Sequence, residues 1–191
     1  MIETLEELEK SCNGCTKCKL CQHRTKIVFG VGNKNADIMM IGEGPGADED
    51  AQGEPFVGKA GKLMNEAFRG TGINRNNLYI TNVVKCRPPQ NRDPEKDEIE
   101  SCKQYLENQI QIIKPKLIVL LGKIALQSIL GEEHSITRDR GTLIEKDGIT
   151  YLPMWHPAAL LRDDYKKIQF WQDCKLLVKY AKEKQLLVAD N

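Results

Sequence analysis

Asp37 to Gly46 reads DIMMIGEGPG, an apolar run that ends abruptly in glycines. The run over Asp37–Ile41 predicts a buried strand, and GEGPG at 42–46 predicts the loop that this strand delivers. Outward from it, strands and helices alternate. Lys59–Arg69 predicts a helix, Leu78–Asn82 (LYITN) a strand, and Pro94–Ile113 a long helix opened by a proline whose missing N–H costs nothing there. Leu117–Leu121 (LIVLL) is the most apolar strand, followed by Gly122 and a short helix to Leu130. Gly141–Ile144 and Thr150–Pro153 flank Asp147-Gly148, a hairpin signal, and Tyr165–Lys184 closes the chain as a helix. A short helix over residues 2–11 opens it, with Ile2, Leu5 and Leu8 on its apolar edge. The alternation implies the α/β class: a three-layer α/β/α sandwich with a mainly parallel central sheet of about four strands. In such sheets ligands bind at the carboxyl ends of the strands. Here those ends carry GEGPG, TNVVKC and, after the last strand, MWHPAALLR.

The chain has 191 residues, 40% of them hydrophobic, which suits a single domain over 1–191 with one sizeable core. No internal repeat or low-complexity linker divides it. Its 28 basic and 27 acidic residues nearly cancel to +1, so net charge neither demands nor excludes a polyanionic partner. The distribution is uneven: Lys10, Lys17, Lys19, Arg24, Lys26 and Lys34 have no acidic residue among them, which predicts a local basic face. No apolar run reaches the roughly 18 residues of a membrane span, and the N-terminus is acidic rather than secretory. A cytoplasmic location and no membrane partner are expected.

Seven cysteines in a reducing compartment do not suggest a disulfide framework, and an odd number cannot all pair. Cys12, Cys15, Cys18 and Cys21 repeat at CxxC spacing, Cys86 and Cys102 come much later, and Cys174 lies in the last helix. Three readings are open: a metal held by the first four alone, a metal held by one CxxC pair with Cys86 and Cys102, or no metal. Helix phase puts Cys102 in register with Tyr105, Leu106, Gln109 and Ile113, pointing toward the core. Four thiolates suit zinc or an iron-sulfur cubane equally.

Four blocks, in order along nearly the whole chain, carry a resemblance: Gly42–Asp50 (GEGPGADED), Pro55–Gly61 (PFVGKAG), Tyr79–Pro94 (YITNVVKCRPPQNRDP) and Met154–Arg162 (MWHPAALLR). Together they resemble the thermostable, iron-sulfur uracil-DNA glycosylases called family four. The resemblance implies the uracil-DNA glycosylase-like fold and a monomer that acts on uracil-containing DNA in base excision repair, leaving an abasic site. It also implies a [4Fe-4S] cluster held by Cys15, Cys18, Cys86 and Cys102, with Cys12 and Cys21 additional to the family pattern and Cys174 a core thiol. The cluster would be structural, tying the N-terminal loop to the segment bearing Asn82 and to the long helix.

The resemblance also assigns roles, and elementary chemistry explains them. A side-chain amide accepts from uracil N3–H while donating to O4, a pattern that cytosine reverses; Asn82 holds this position. Phe56 would stack on the flipped base, and Glu49 would fill the space beside C5 that thymine's methyl group needs. Backbone N–H groups around Gly42 and Gly44 would bind uracil O2, as glycines allow close approach. His156 would donate to the anion that forms as the bond breaks. Leu160 or Leu161, with Arg162, would enter the minor groove and fill the vacated space. Gly44 stands where better-known uracil glycosylases carry a water-orienting aspartate, which leaves Glu43 or Asn91 to position water.

Two other classes compete. A non-catalytic, metal-stabilised nucleic-acid-binding module would keep the cysteines and basic residues but has no use for Asn82 and His156. A phosphate binder built on GEGPG lacks both GxxxxGK[ST] and a GxGxxG helix opening. The covalent-binding branch of the same superfamily carries GEQPG and a basic, His-bearing insert, and this chain has neither.

Overall fold

The computed structural model describes residues 4–189. Six strands, β1 (Val31–Gly32), β2 (Ile38–Gly42), β3 (Tyr79–Asn82), β4 (Leu117–Leu121), β5 (Ile144–Lys146) and β6 (Ile149–Met154), form one sheet in the order β1-β3-β2-β4-β6-β5. Its centre, β3-β2-β4-β6, is parallel throughout. The helices are α1 (Leu5–Cys12), α2 (Ala47–Gln52), α3 (Lys59–Thr71), α4 (Lys96–Ile113), α5 (Lys123–Leu130), α6 (Ile136–Asp139) and α7 (Asp164–Glu183).

The pleat divides the core. Ile38 and Met40 of β2 face one side with Met64 and Phe68 of α3 and Phe170, Cys174 and Leu177 of α7. Met39 and Ile41 face the other, with Leu5 and Leu8 of α1, Tyr105 and Leu106 of α4 and Leu126 of α5. Because both faces are covered, every residue of β2 and β4 is buried, which is why these strands read as unbroken apolar runs. The three-layer sandwich stands as expected.

The sheet is larger than the expected four strands. The parallel centre accounts for those four, and the short β1 and β5 add antiparallel edges against β3 and β6. A two-residue strand leaves no periodicity to read. Asp147 (φ 52°) and Gly148 (φ 79°) turn the β5–β6 hairpin as expected, both in the left-handed region that a two-residue hairpin turn needs. The long helix starts later than predicted. Glu95 is the N-cap of α4, sharing a reciprocal capping box with Glu98, so Pro94 precedes the cap instead of occupying the first turn. α2 leaves no periodic signal in the sequence, since its short acidic stretch shows no apolar face. At the N-terminus, Thr4 caps α1 in another capping box, and Ile2 lies outside the described residues.

The expected basic face is largely engaged within the chain. Lys19 pairs with Glu95 and Lys34 with Glu6, Lys17 lies over the Tyr105 ring, and Arg24 donates to Cys15 O at 2.6 Å. Asp50, buried at the end of the first glycine-rich block, accepts from the N–H groups of Thr25 and Lys26 and so ties α2 to the cysteine loop.

Candidate active site

The parallel centre puts the carboxyl ends of β2, β3 and β6 on one edge, and there the chain opens a cleft of about 380 Å³. Glu43, Gly44, Glu49, Phe56, Asn82, Asn91 and His156 all line it. Pairing continues beyond the strands, with Val83 N–H donating to Gly42 O and Val84 N–H to Glu43 O, so the glycine loop and the Asn82 segment are fixed against each other. Gly42 lies behind the cleft. A Cβ there would come within 2.5 Å of Asn82 Oδ1 and 2.6 Å of the Phe56 ring, so only glycine lets both side chains close over the strand end.

Asn82 is 1% exposed, and its Oδ1 is buried without a hydrogen-bond partner. A buried amide oxygen left unpaired costs about 1–3 kcal/mol, and such a group in a cleft wall marks where a ligand N–H belongs. Phe56 adopts φ 53°, a strained conformation for a bulky residue. Arg75 holds it there, donating to Pro55 O at 2.7 Å, Phe56 O at 2.9 Å and Asn65 Oδ1 at 2.8 Å. The ring packs in the core and presents itself to the cleft, its centroid 5.6 Å from that of His156. Glu49 is no solvated charge: its Oε1 accepts from Val57 N–H at 3.1 Å and Gly58 N–H at 3.0 Å.

His156 Nδ1 accepts from Ala158 N–H at 3.1 Å, so in the neutral ring the proton sits on Nε2, leaving a donor free. Burial pushes the imidazole down to about 4, against the opposing charge of Glu49. Close by, Gly122 (φ 90°) comes so near that a Cβ would lie 2.9 Å from His156 Cβ. Glu43 is raised to about 7, first by burial and then by the charge and hydrogen bond of Asp93. Asn91 (φ 55°) follows Gln90 (φ 57°) in a left-handed pair, and its Oδ1 accepts from Arg87 Nε at 2.8 Å. Arg92 grips the buried Glu98 through two bonds of 2.9 and 2.7 Å, anchoring that loop to α4.

Leu160 does not face solvent. It is 1% exposed within the core on the α3/α7 side, because the turn over Pro157–Leu160 packs down onto these helices. Leu161 is 44% exposed and Arg162 is exposed beside it, which narrows the expected minor-groove wedge to Leu161. Asp93 and the clamp Arg75 escaped sequence reading. The NRDP segment pointed to Asp93 without marking it, and nothing local marked Arg75.

A second cavity, beyond the Asn82 strand, is walled by Cys12, Cys15, Cys18, Cys21, Cys86 and Cys102 together with Arg24, Lys85 and Tyr105. None of these cysteines is in a disulfide. Cys12 is buried among Leu5, Leu8 and Leu20, whereas Cys15, Cys18 and Cys21 are half-buried. Arg24 Nη1 approaches Cys86 Sγ at 3.5 Å. Burial pushes the Cys86 thiol up to about 11, with Arg24 acting in opposition. Cys174 is remote and fully buried against Phe170 and Leu177.

Comparison with known proteins identifies the family. The chain is 40% identical to a type-4 uracil-DNA glycosylase of Archaeoglobus fulgidus over 99% of both chains. It is 46% identical to one of Sulfurisphaera tokodaii, over 88% of this chain and 84% of that relative. A third, from Thermotoga maritima, is 45% identical over 84% of this chain and 85% of its own length. Residues 29–176, which span the cleft from the approach to β2 into α7, match the uracil DNA glycosylase superfamily. The chain belongs to that superfamily, in its type-4 branch.

Proposed function

We propose that this enzyme removes uracil from DNA by drawing the base into the β2/β3/β6 cleft and hydrolysing its N-glycosidic bond with the residues that line it. The unpaired Asn82 Oδ1 carries the proposal. It offers an acceptor to uracil N3–H while the amide N–H₂ meets O4, and cytosine leaves both groups unmatched. Phe56, held in a strained conformation, supplies a face for the flipped ring. Glu49 closes the side where thymine carries a methyl group, and the backbone beside Gly42 and Gly44 serves O2.

As the C1′–N1 bond breaks, its electron pair moves into the base and charge builds on uracil O2. The neutral His156 donates from Nε2 to that oxygen; one such donor is worth about 3 kcal/mol. Water then bonds to C1′ of the oxocarbenium-like sugar. Glu43, with Asn91 across the cleft, positions this water, and Glu43 takes its proton. Free uracil and an abasic site result. Leu161 fills the space that the base vacated, and Arg162 faces the backbone.

The second cavity suits a [4Fe-4S] cluster held by Cys15, Cys18, Cys86 and Cys102. The cavity wall is rich in thiols, the soft donors that an iron-sulfur cubane takes, one to each iron. Arg24 and Lys85 in the wall balance the negative charge of such a group. When bound, the cluster supplies cross-linking and no electron transfer, joining the N-terminal loop to the β3 segment and α4. We take the whole chain as one glycosylase domain, monomeric and cytoplasmic.

The test is incubation of anaerobically purified protein with a uracil-containing oligonucleotide, scoring abasic sites, with Asn82→Ala alongside. Wild type should release uracil and Asn82→Ala should be slower by roughly ten- to a hundredfold. Release of no uracil by wild type would refute the proposal, and equal rates would remove Asn82 from it.

A further inference from the structure

Lys85 stands between the cleft and the cysteine cavity. It is 1% exposed, and its Nζ donates to Thr81 Oγ1 at 2.6 Å, to the Asn82 carbonyl at 2.7 Å and to Gln109 Oε1 at 2.6 Å. An ammonium has three N–H donors, so these bonds use it completely. Its acceptors are themselves oriented. Gln109 Nε2 donates to Phe29 O at 2.8 Å and to Tyr79 Oη at 3.2 Å, which turns Oε1 toward Lys85. Thr81 Oγ1 donates to Phe29 O at 2.8 Å and keeps a lone pair for Lys85.

All three acceptors are neutral, and burying a cation without a counter-charge is costly. Lys85 also lines the cavity walled by the cysteines, so one side chain connects that cavity to the strand end that bears Asn82. On the other side, the Asn82 amide oxygen has no protein partner to aim it. Its direction must come from its packing against Gly42 and Phe56 and from its own backbone, which Lys85 grips at the carbonyl.

We propose that Lys85 is the positioning residue of the base-reading site: its three buried hydrogen bonds lock the peptide from which Asn82 reaches the base, and its side chain ties that peptide to the wall of the cysteine cavity. The inference rests on Asn82 reading the base. It makes the cysteine cavity part of the recognition machinery through a single side chain, with no redox event. A lysine that only fills the core would affect stability and leave recognition untouched.

The experiment compares wild type, Lys85→Met, Asn82→Ala and the double variant in the cluster-containing protein. It measures inhibition by free uracil, kcat and KM on a uracil oligonucleotide, melting temperature and the visible absorbance of the cluster per chain. Lys85→Met should raise the uracil inhibition constant about tenfold and lower kcat comparably, with KM for DNA changed less than about twofold. The double variant should bind uracil no worse than Asn82→Ala, since the two residues act as one unit. Unchanged uracil inhibition in folded Lys85→Met, or additive losses in the double variant, would overturn the inference. Should Lys85→Met not fold, Gln109→Met removes one acceptor and should raise the same constant in part; no rise would again overturn it. If Asn82→Ala itself leaves uracil inhibition intact, the fault lies with the assignment of Asn82 and not with its support.

Discussion

The cleft holds two titratable residues displaced in ways that suit opposite tasks. Glu43 moves from an ordinary 4.5 up to about 7, mainly through burial and then through Asp93. Between those values the folded chain holds a proton that the unfolded chain has released. Its contribution to stability is therefore full below pH 4.5 and lost as pH rises through about 7. Catalysis runs the other way, because only the carboxylate takes a proton from water. We expect kcat to rise with pH through about 7, and Glu43→Gln to flatten that limb while raising the melting temperature above pH 7. A rising limb that persists in Glu43→Gln would remove Glu43 from the water step. His156 moves from 6.5 down to about 4, so its stabilising effect is full above pH 6.5 and lost as pH falls toward 4. Its Nε2 proton needs no acidic medium. His156→Ala should cost about 10²–10³-fold in kcat without shifting the limb assigned to Glu43, as pH–rate profiles of the two variants will show.

At the scale of elements, the turn after β6 shows how adjacent residues part company. Leu160 faces the core while Leu161 stands in solvent. Leu160→Ala should destabilise the fold by about 2–5 kcal/mol, read by denaturant titration. Leu161→Ala should leave stability within about 0.5 kcal/mol and slow excision from duplex more than from single-stranded DNA. No feature of the LL pair separates them in sequence, because the partition depends on α3 and α7 packing beneath the turn. The same contrast governs legibility elsewhere. β2 and β4 could be read because both their faces are buried, and the Asp147-Gly148 turn because its backbone demands those residues. β1 and α2 could not, being too short to show a period, and Pro94 misled by two positions because Glu95 does the capping and Lys96 opens the helix. Motif blocks brought Glu43, Glu49, Phe56, Asn82 and His156 to one cleft, but Arg75, 19 residues beyond the loop it clamps, meets it only through the tertiary fold.

Across the whole molecule, the cysteine cavity joins segments far apart in the chain, so its contents should govern global stability. If the proposed cluster is held as assigned, serine substitution of Cys15, Cys18, Cys86 or Cys102 should abolish its visible absorbance and lower the melting temperature. Cys21→Ser should retain the absorbance. Cys12→Ser should also retain it, yet lose stability because that thiol is buried beside Leu5 and Leu8. Loss of absorbance in either of these last two would redraw the ligand set. Beyond the cavity, the sheet ends at one side on a strand of two residues and at the other on a strand of three carrying Glu145 and Lys146. An open row of backbone donors and acceptors invites another chain to add a strand, and short, charged borders discourage it. The shortness of both edges, and the charges on the second, therefore work against fibril templating through the sheet's margins. Replacing Glu145 and Lys146 together by valine should remove that safeguard, and light scattering should then grow with concentration while the excision rate per folded molecule stays unchanged.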